Sequence, residues 1–250
     1  MQKYKKIVIV GATSAIAEHC ARNWITDTPS EIILVGRHIE KLQSISMDLA
    51  VRNTSTKLTI KTLDFLDVRQ IDECVTSCVE ATPPDIVLIA HGVLPNQLEA
   101  ENDLALIESS LNVNAISPVI FAEAFANRMG QNCAGTIIII GSVAGDRGRK
   151  SNYVYGSAKS LIEKYTQGLQ HRFARTKLKI ILVKPGPTET PMTAHLTARK
   201  DKMTPVEEVA KSIVHQAKKS KRVIYVPKKW GAIMFVIRNL PYFVFSKMNI

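Results

Sequence analysis

The sequence predicts an α/β fold: a doubly wound, three-layer sandwich in which helices cover both faces of a seven-stranded parallel sheet. Two observations carry this. Strand-like runs fall at residues 6–10, 31–35, 58–63, 85–90, 136–140, 179–184 and 222–226, alternating with helical runs. The first run, Ile7-Val8-Ile9-Val10, is β-branched throughout, as suits a strand buried on both faces. A chain of 250 residues encloses one sizeable core, and no linker, repeat or low-complexity stretch divides it.

The first strand runs straight into Gly11-Ala12-Thr13-Ser14-Ala15-Ile16-Ala17, and helical periodicity follows through Ala21 and Trp24. A strand, a tight turn of small residues and a helix start form the dinucleotide-binding unit of a Rossmann-like sheet. Small residues let the backbone approach a pyrophosphate, and the helix N-terminus favours its charge. The spacing is Gly-x-x-x-Ala-x-Ala, so alanines stand at the second and third small positions. Taken alone, this is also an ordinary strand-to-helix turn.

The second strand ends at Val35-Gly36-Arg37. An acid at this point would accept from ribose hydroxyls. Arg37 instead matches the 2′-phosphate of NADP through a charge-assisted contact, so NADP(H) is favoured and NAD(H) is the alternative. A solvated loop arginine is the plainer reading. Asp64-Phe65 follows the third strand, Ala90-His91-Gly92 the fourth and Ser142 the fifth. Asp64 is either an acceptor for the adenine amino group or a strand-end cap. Tyr155 and Lys159 stand four apart in Tyr155-Gly156-Ser157-Ala158-Lys159 and so share one helix face. A free tyrosine ionises near pH 10, and a lysine one turn away is expected to pull that value toward neutrality. With a serine hydroxyl to bond a substrate oxygen, the set can move a proton on or off an alcohol.

These motifs, in this order over residues 6–227, resemble the short-chain dehydrogenase/reductase family. The matches are the Gly11 loop, Asp64-Phe65, Ala90-His91-Gly92, Asn114 in Val113-Asn114-Ala115, Ser142, Tyr155 with Lys159, and Pro185-Gly186 with Thr190. The resemblance implies a catalytic set of Ser142, Tyr155, Lys159 and Asn114, with Asn114 holding a relay water. It implies a cofactor site built from Gly11, Thr13, Ser14, Ala15, Ile16, Arg37, Asp64, Phe65, Ala90, His91, Gly92, Tyr155, Lys159, Pro185, Gly186, Thr188 and Thr190, and no metal. A homo-oligomer is the family's common state. Two departures stand out: Ile89-Ala90-His91-Gly92 where the family usually has Asn-Asn-Ala-Gly after strand four, and alanines in place of the last two glycines of the nucleotide loop. Both are usual in a bacterial branch that this chain resembles more narrowly, on Gly11 to Glu18, Ala90 to Leu94 and Asp146 to Gly156. That branch includes the decaprenylphosphoryl-2-keto-pentose reductase, the reductase component of the decaprenylphosphoryl-ribose 2′-epimerase. The resemblance implies a keto-sugar carried on a polyprenyl phosphate, a partner oxidase and cell-envelope polysaccharide synthesis. Arg147 and Arg149, in the loop after Ser142, are candidates to bind substrate phosphate or hydroxyls, and equally to be solvated. His91 reads as a loop residue satisfied by backbone rather than as a catalyst.

The net charge is +11, and from Val209 to the C-terminus there is no Asp or Glu. Residues 228–250 alternate basic residues with Trp230-Gly231-Ala232-Ile233-Met234-Phe235-Val236-Ile237 and Leu240-Pro241-Tyr242-Phe243-Val244-Phe245. The eight-residue apolar run falls short of the about twenty residues a bilayer span needs. It suits a segment lying in a membrane interface, or one packed on another subunit. The expected organisation is therefore a reductase domain over 1–227 and a basic, apolar segment over 228–250. Nucleic-acid binding is not supported, since the aromatics cluster with aliphatics and no recognition motif occurs. The cysteines are Cys20, Cys74, Cys78 and Cys133, with no Cys-x-x-Cys frame. Free helical thiols, and an N-terminus with no apolar leader, predict a cytoplasmic protein, peripheral at the inner membrane face. Two classes of function remain: a reductase of a lipid-linked keto-sugar, or else of an acyl or small-molecule carbonyl; and a nucleotide-binding scaffold that has lost the chemistry. Retention of Ser142, Tyr155 and Lys159 argues against the second.

Overall fold

The computed structural model describes residues 4–130, 134–194, 203–219 and 221–248, so Cys133 lies outside the described residues. Seven parallel strands form one sheet: β1 (Lys6–Val10), β2 (Glu31–Gly36), β3 (Lys57–Thr62), β4 (Ile86–Ile89), β5 (Thr136–Ile140), β6 (Lys179–Pro185) and β9 (Val223–Val226), in the order β3-β2-β1-β4-β5-β6-β9. Between β6 and β9 in the chain, β7 (Thr188–Glu189) and β8 (Thr204–Pro205) make a separate two-residue pairing.

Every residue of β1 is buried, which explains the unbroken apolar run Ile7–Val10: each face of the strand meets its own layer of helices. Ile7 and Ile9 point into a core shared with α1 (Ala15–Trp24), α2 (Ile39–Arg52) and α8 (Val206–Ala217), where Trp24 is fully buried. Val8 and Val10 point the other way, toward α3 (Val68–Val79), α6 (Ser117–Met129) and α7 (Tyr153–Arg172), around Phe121 and Phe125. Each such large side chain contributes about 1.5–3 kcal/mol by leaving water.

The strand order reverses direction between β1 and β4, and the crevice beyond their C-terminal ends is where such sheets bind ligands. Val10 pairs with both Val35 and Ile89, so the loops that follow β1, β2 and β4 emerge side by side. Two short helices, α4 (Gln97–Ala100) and α5 (Leu104–Leu111), lead to one π-helical turn over Asn112–Ile116 before α6. The combined helical stretch Leu104–Met129 is long and apolar enough to cross a membrane by length and composition; here its α6 half packs on β4 and β5. The C-terminal segment forms α9 (Lys229–Asn239) and α10 (Tyr242–Phe245), and α9 packs against β9. Among the described residues Cys20, Cys74 and Cys78 are free thiols carried on α1 and α3.

Candidate active site

The nucleotide side of the crevice starts at Gly11. Its φ is +77°, and a Cβ there would lie 2.6 Å from the His91 backbone nitrogen, so only glycine fits. Gly11 and Ala12 N–H both donate to Val35 O, at 2.9 and 3.0 Å, which pins the loop to the end of β2. Ser14 caps α1 without a side-chain hydrogen bond, leaving the first N–H groups of the helix open to the groove. Gly11, Thr13, Ser14, Ala15, Ile16, Gly36, Arg37, Phe65, His91, Gly92 and Thr190 line that groove. A glycine without room for a Cβ, a free helix N-terminus and an exposed arginine at the end of β2 fit a dinucleotide phosphate chain. Asp64 borders a shallower depression with Arg37, and its Oδ1 accepts the Leu66 N–H at 2.9 Å, a local cap at the strand end.

Ser142 follows β5 in extended backbone and opens a 3-10 turn, Val143–Asp146. Two glycines set this turn directly on α7. A Cβ on Gly156 would meet Ala144 O at 2.9 Å, and one on Gly145 would meet Lys159 C at 2.8 Å. The contact brings the Ser142 and Tyr155 side chains to the same pocket, where Ser142 Oγ accepts the Ala144 N–H at 3.1 Å. On the same face of α7, Lys159 Nζ lies 5.5 Å from the Tyr155 ring centre and donates to Ile140 O at 3.2 Å. The start of α7 is held by Gln97, a buried side chain of α4 whose Oε1 accepts the Val154 N–H at 3.1 Å.

Burial pushes the Tyr155 phenol up to about 12, outweighing the lowering effect of the nearby Ser142 hydroxyl. Burial also brings the Lys159 ammonium down to about 8. The spacing alone predicts a lowered tyrosine. The structure differs because Lys159 points its ammonium at a main-chain carbonyl, and desolvation of the phenolate dominates. At neutral pH Tyr155 is thus a neutral phenol, able to give a proton.

Asn114 is fully buried within the π-helical turn, a feature often found at functional sites. Its Oδ1 accepts the Val93 N–H at 2.8 Å and its Nδ2 donates to Ser110 Oγ at 3.1 Å. It thereby ties the loop after β4 to the helix beneath it. A Cβ on Gly92 would lie 2.7 Å from Asn114 Oδ1 and 3.6 Å from Lys159 Nζ, so the glycine lets these groups converge. His91 is also buried. Its Nε2 bonds Ser117 Oγ at 2.9 Å, and its ring sits edge-on to Phe65 and Phe121, at 4.7 and 5.6 Å. Burial, then the charges of Lys159 and Arg37, bring its pKa down to about 3, so it is neutral.

Ser142, Tyr155 and Lys159 line a second pocket, continuous with the first at Ser14, Ile16, His91 and Gly92. Ala90, Pro185, Gly186, Thr188 and Thr190 line it too, so the loop after β6 faces the loop after β4. Its remaining wall is mixed. Arg149 and Asn152 contribute polar groups, while Leu94, Met192, Met203 and Trp230 give it apolar surface. Trp230, from α9, packs so tightly on Gly186 that a Cβ there would fall 2.0 Å from its Nε1. Nothing in the local sequence distinguishes this tryptophan as a pocket residue.

Arg147 departs from expectation. It does not line the pocket; its guanidinium donates to the carbonyls of Ile237 and Leu240 and lies 3.7 Å over the Phe245 ring. The side chain points back toward the C-terminal segment because the end of α9 leaves carbonyls without intrahelical partners. Asp146 beside it turns inward, where Lys184 Nζ bonds both its Oδ1 and Glu163 Oε2, the latter at 2.6 Å. Tyr225 OH donates to Asp146 Oδ2 at 2.8 Å. One buried lysine therefore joins the Ser142 turn, α7, β6 and β9.

The sequence matches the short chain dehydrogenase family over residues 5–201, and the chain belongs to that family. It is an oxidoreductase of the short-chain dehydrogenase/reductase type. An uncharacterized oxidoreductase of Mycobacterium tuberculosis is 28% identical over 243 residues, covering 97% of this chain and 96% of the relative. Among solved structures, a short chain dehydrogenase from Burkholderia cenocepacia in complex with NADP superposes with a TM-score of 0.77 at 16% identity, over 96% of this chain and 100% of the other. An actinorhodin polyketide ketoreductase with NADPH gives a TM-score of 0.77 at 22% identity, over 90% and 97% of the two chains.

Proposed function

We propose that this enzyme uses NADPH to reduce a keto group on a sugar carried by a polyprenyl phosphate, in cell-envelope polysaccharide synthesis. The observation that carries the substrate class is the mixed polar and apolar lining of the pocket around Ser142 and Tyr155. Arg149 and Asn152 offer hydrogen bonds and charge to a sugar or phosphate, and Leu94, Met192, Met203 and Trp230 offer apolar surface to a prenyl chain. Arg37, standing where an NAD-specific site carries an acid, supports NADP(H).

NADPH, when bound, supplies a hydride to the carbonyl carbon. Ser142 donates a hydrogen bond to the carbonyl oxygen. Tyr155 gives that oxygen its proton, and the nearby Lys159 ammonium favours the phenolate left behind. The net change is a ketone and a proton to an alcohol, with NADPH oxidised to NADP. In this reading the ketone is supplied by a separate oxidase acting on the corresponding alcohol.

A second reading is reduction of a small apolar ketone, supported by the same Leu94, Met192, Met203 and Trp230 surface. An NADPH-oxidation assay across keto-sugars on polyprenyl phosphate, free keto-sugars and small ketones separates the two. The proposal expects the highest kcat/KM with the lipid-linked sugar. Equal or better turnover of small ketones would transfer the assignment to the second reading.

A further inference from the structure

The C-terminal helix α9 is apolar on both sides, and only one side is covered. Met234 is 1% exposed, and it shares the inner face with Trp230 and Ile237, which belong to the same face by helical spacing. The outer side carries Phe235 at 64% and Val236 at 59% exposure, and the chain continues into α10 with Tyr242 at 79% and Phe243 at 69%. A helix apolar all round is normally buried all round. A cluster of large apolar side chains left in water marks a surface that meets something.

The charges say what it meets. Lys228, Lys229, Arg238 and Lys247 frame the cluster, and no acid occurs after Glu208. A second copy docked through this same face would bring the same four cations to the interface, and the segment supplies no Asp or Glu to pair with them. An anionic lipid surface answers both features at once: acyl chains for the aromatic and aliphatic side chains, phosphates for the cations.

We propose that the outer face of α9 and α10 docks on an anionic lipid bilayer and so presents the active-site pocket to it. The same helix that offers Phe235 and Val236 outward places Trp230 in the pocket wall. Arg147, on the turn that begins at Ser142, grips the end of this helix through the Ile237 and Leu240 carbonyls and the Phe245 ring. The docking face is therefore fixed relative to the pocket, and a lipid-borne substrate reaches Ser142 and Tyr155 without its tail being drawn through water. This deepens the lipid-linked reading above but is tested without any substrate, so the two stand or fall separately.

The full chain is co-sedimented with phosphatidylcholine vesicles that contain phosphatidylglycerol, and with pure phosphatidylcholine vesicles. Binding to the anionic vesicles is expected to exceed binding to the neutral ones by roughly tenfold or more, and to weaken as salt is raised. The combined variant Phe235→Ser, Val236→Ser, Phe243→Ser should lose this binding while keeping the wild-type oligomeric state in light scattering and the wild-type affinity for NADPH. A second variant, Lys228→Glu with Lys229→Glu, should lose it as well. The proposal is overturned if the wild-type chain ignores the anionic vesicles, if both variants bind them as the wild type does, or if the apolar variant instead dissociates an oligomer, which would make the face a subunit interface.

Discussion

Lys184 and Asp146 form a buried ion pair directly behind the turn that carries Ser142, with side-chain exposures of 2% and 0%. Neither residue faces the pocket, yet the pair joins its serine turn to the strand that ends in Pro185. Glu163, one helical turn beyond Lys159, is the second carboxylate on the same ammonium.

Lys184→Met should be strongly destabilising, because it leaves Asp146 and Glu163 facing each other in the interior without a cation. Losing one partner of a buried pair costs about 3–5 kcal/mol, or roughly 10 °C in Tm for a chain of this size. Burial works against the Lys184 charge, but Asp146 and Glu163 outweigh it and hold its pKa above the ordinary 10.5. Its contribution is therefore complete below that value and is lost only as pH rises through the higher folded-state value. Thermal melts of the variant and the wild type at neutral and strongly alkaline pH check this. The gap between them should be widest at neutral pH.

Arg37→Ala should weaken NADPH binding by about ten- to a hundredfold and leave NADH nearly unchanged, since only NADPH carries the 2′-phosphate. Fluorescence titration with each cofactor measures both. Equal losses would make Arg37 a support of the loop rather than a reader of the phosphate.

The pH profile of reduction should break near 8. Lys159 is an ammonium below about 8 and loses its charge above it. The proposed mechanism uses that charge to favour the phenolate left by proton transfer, so kcat/KM for the ketone is expected to hold level up to that point and to fall as pH rises past it. A profile level from about pH 6 to about pH 10 would remove the Lys159 charge from the reaction.

The sheet was legible because buried parallel strands are short apolar runs, as in β1, β4 and β5, while the edge strand β3, Lys57–Thr62, shows instead the alternation of a half-buried strand. The two-residue pair β7 and β8 has no such signature, being too short to show a period. Tyr155 and Lys159 were legible as a pair because their relation is local, one turn of one helix. What the sequence hid is contact between distant segments: Gln97 capping α7, Trp230 closing the pocket, Lys184 between Asp146 and Glu163, and Arg147 turned to the C-terminus. The π-helical turn at Asn114 was hidden too, since five residues do not reveal whether a helix winds at 3.6 or more residues per turn. The direction of the Tyr155 shift depends on how deeply the phenol is buried, which no spacing records.

The proton-donor role of Tyr155 is tested most directly by single-turnover reduction in Tyr155→Phe, with NADPH bound beforehand and the cofactor absorbance followed. The substitution removes one hydroxyl and keeps the ring. Hydride transfer to the ketone should all but cease, while NADPH affinity stays within a few-fold of wild type. Reduction at most of the wild-type rate with the hydroxyl gone would contradict the assignment of the proton to Tyr155.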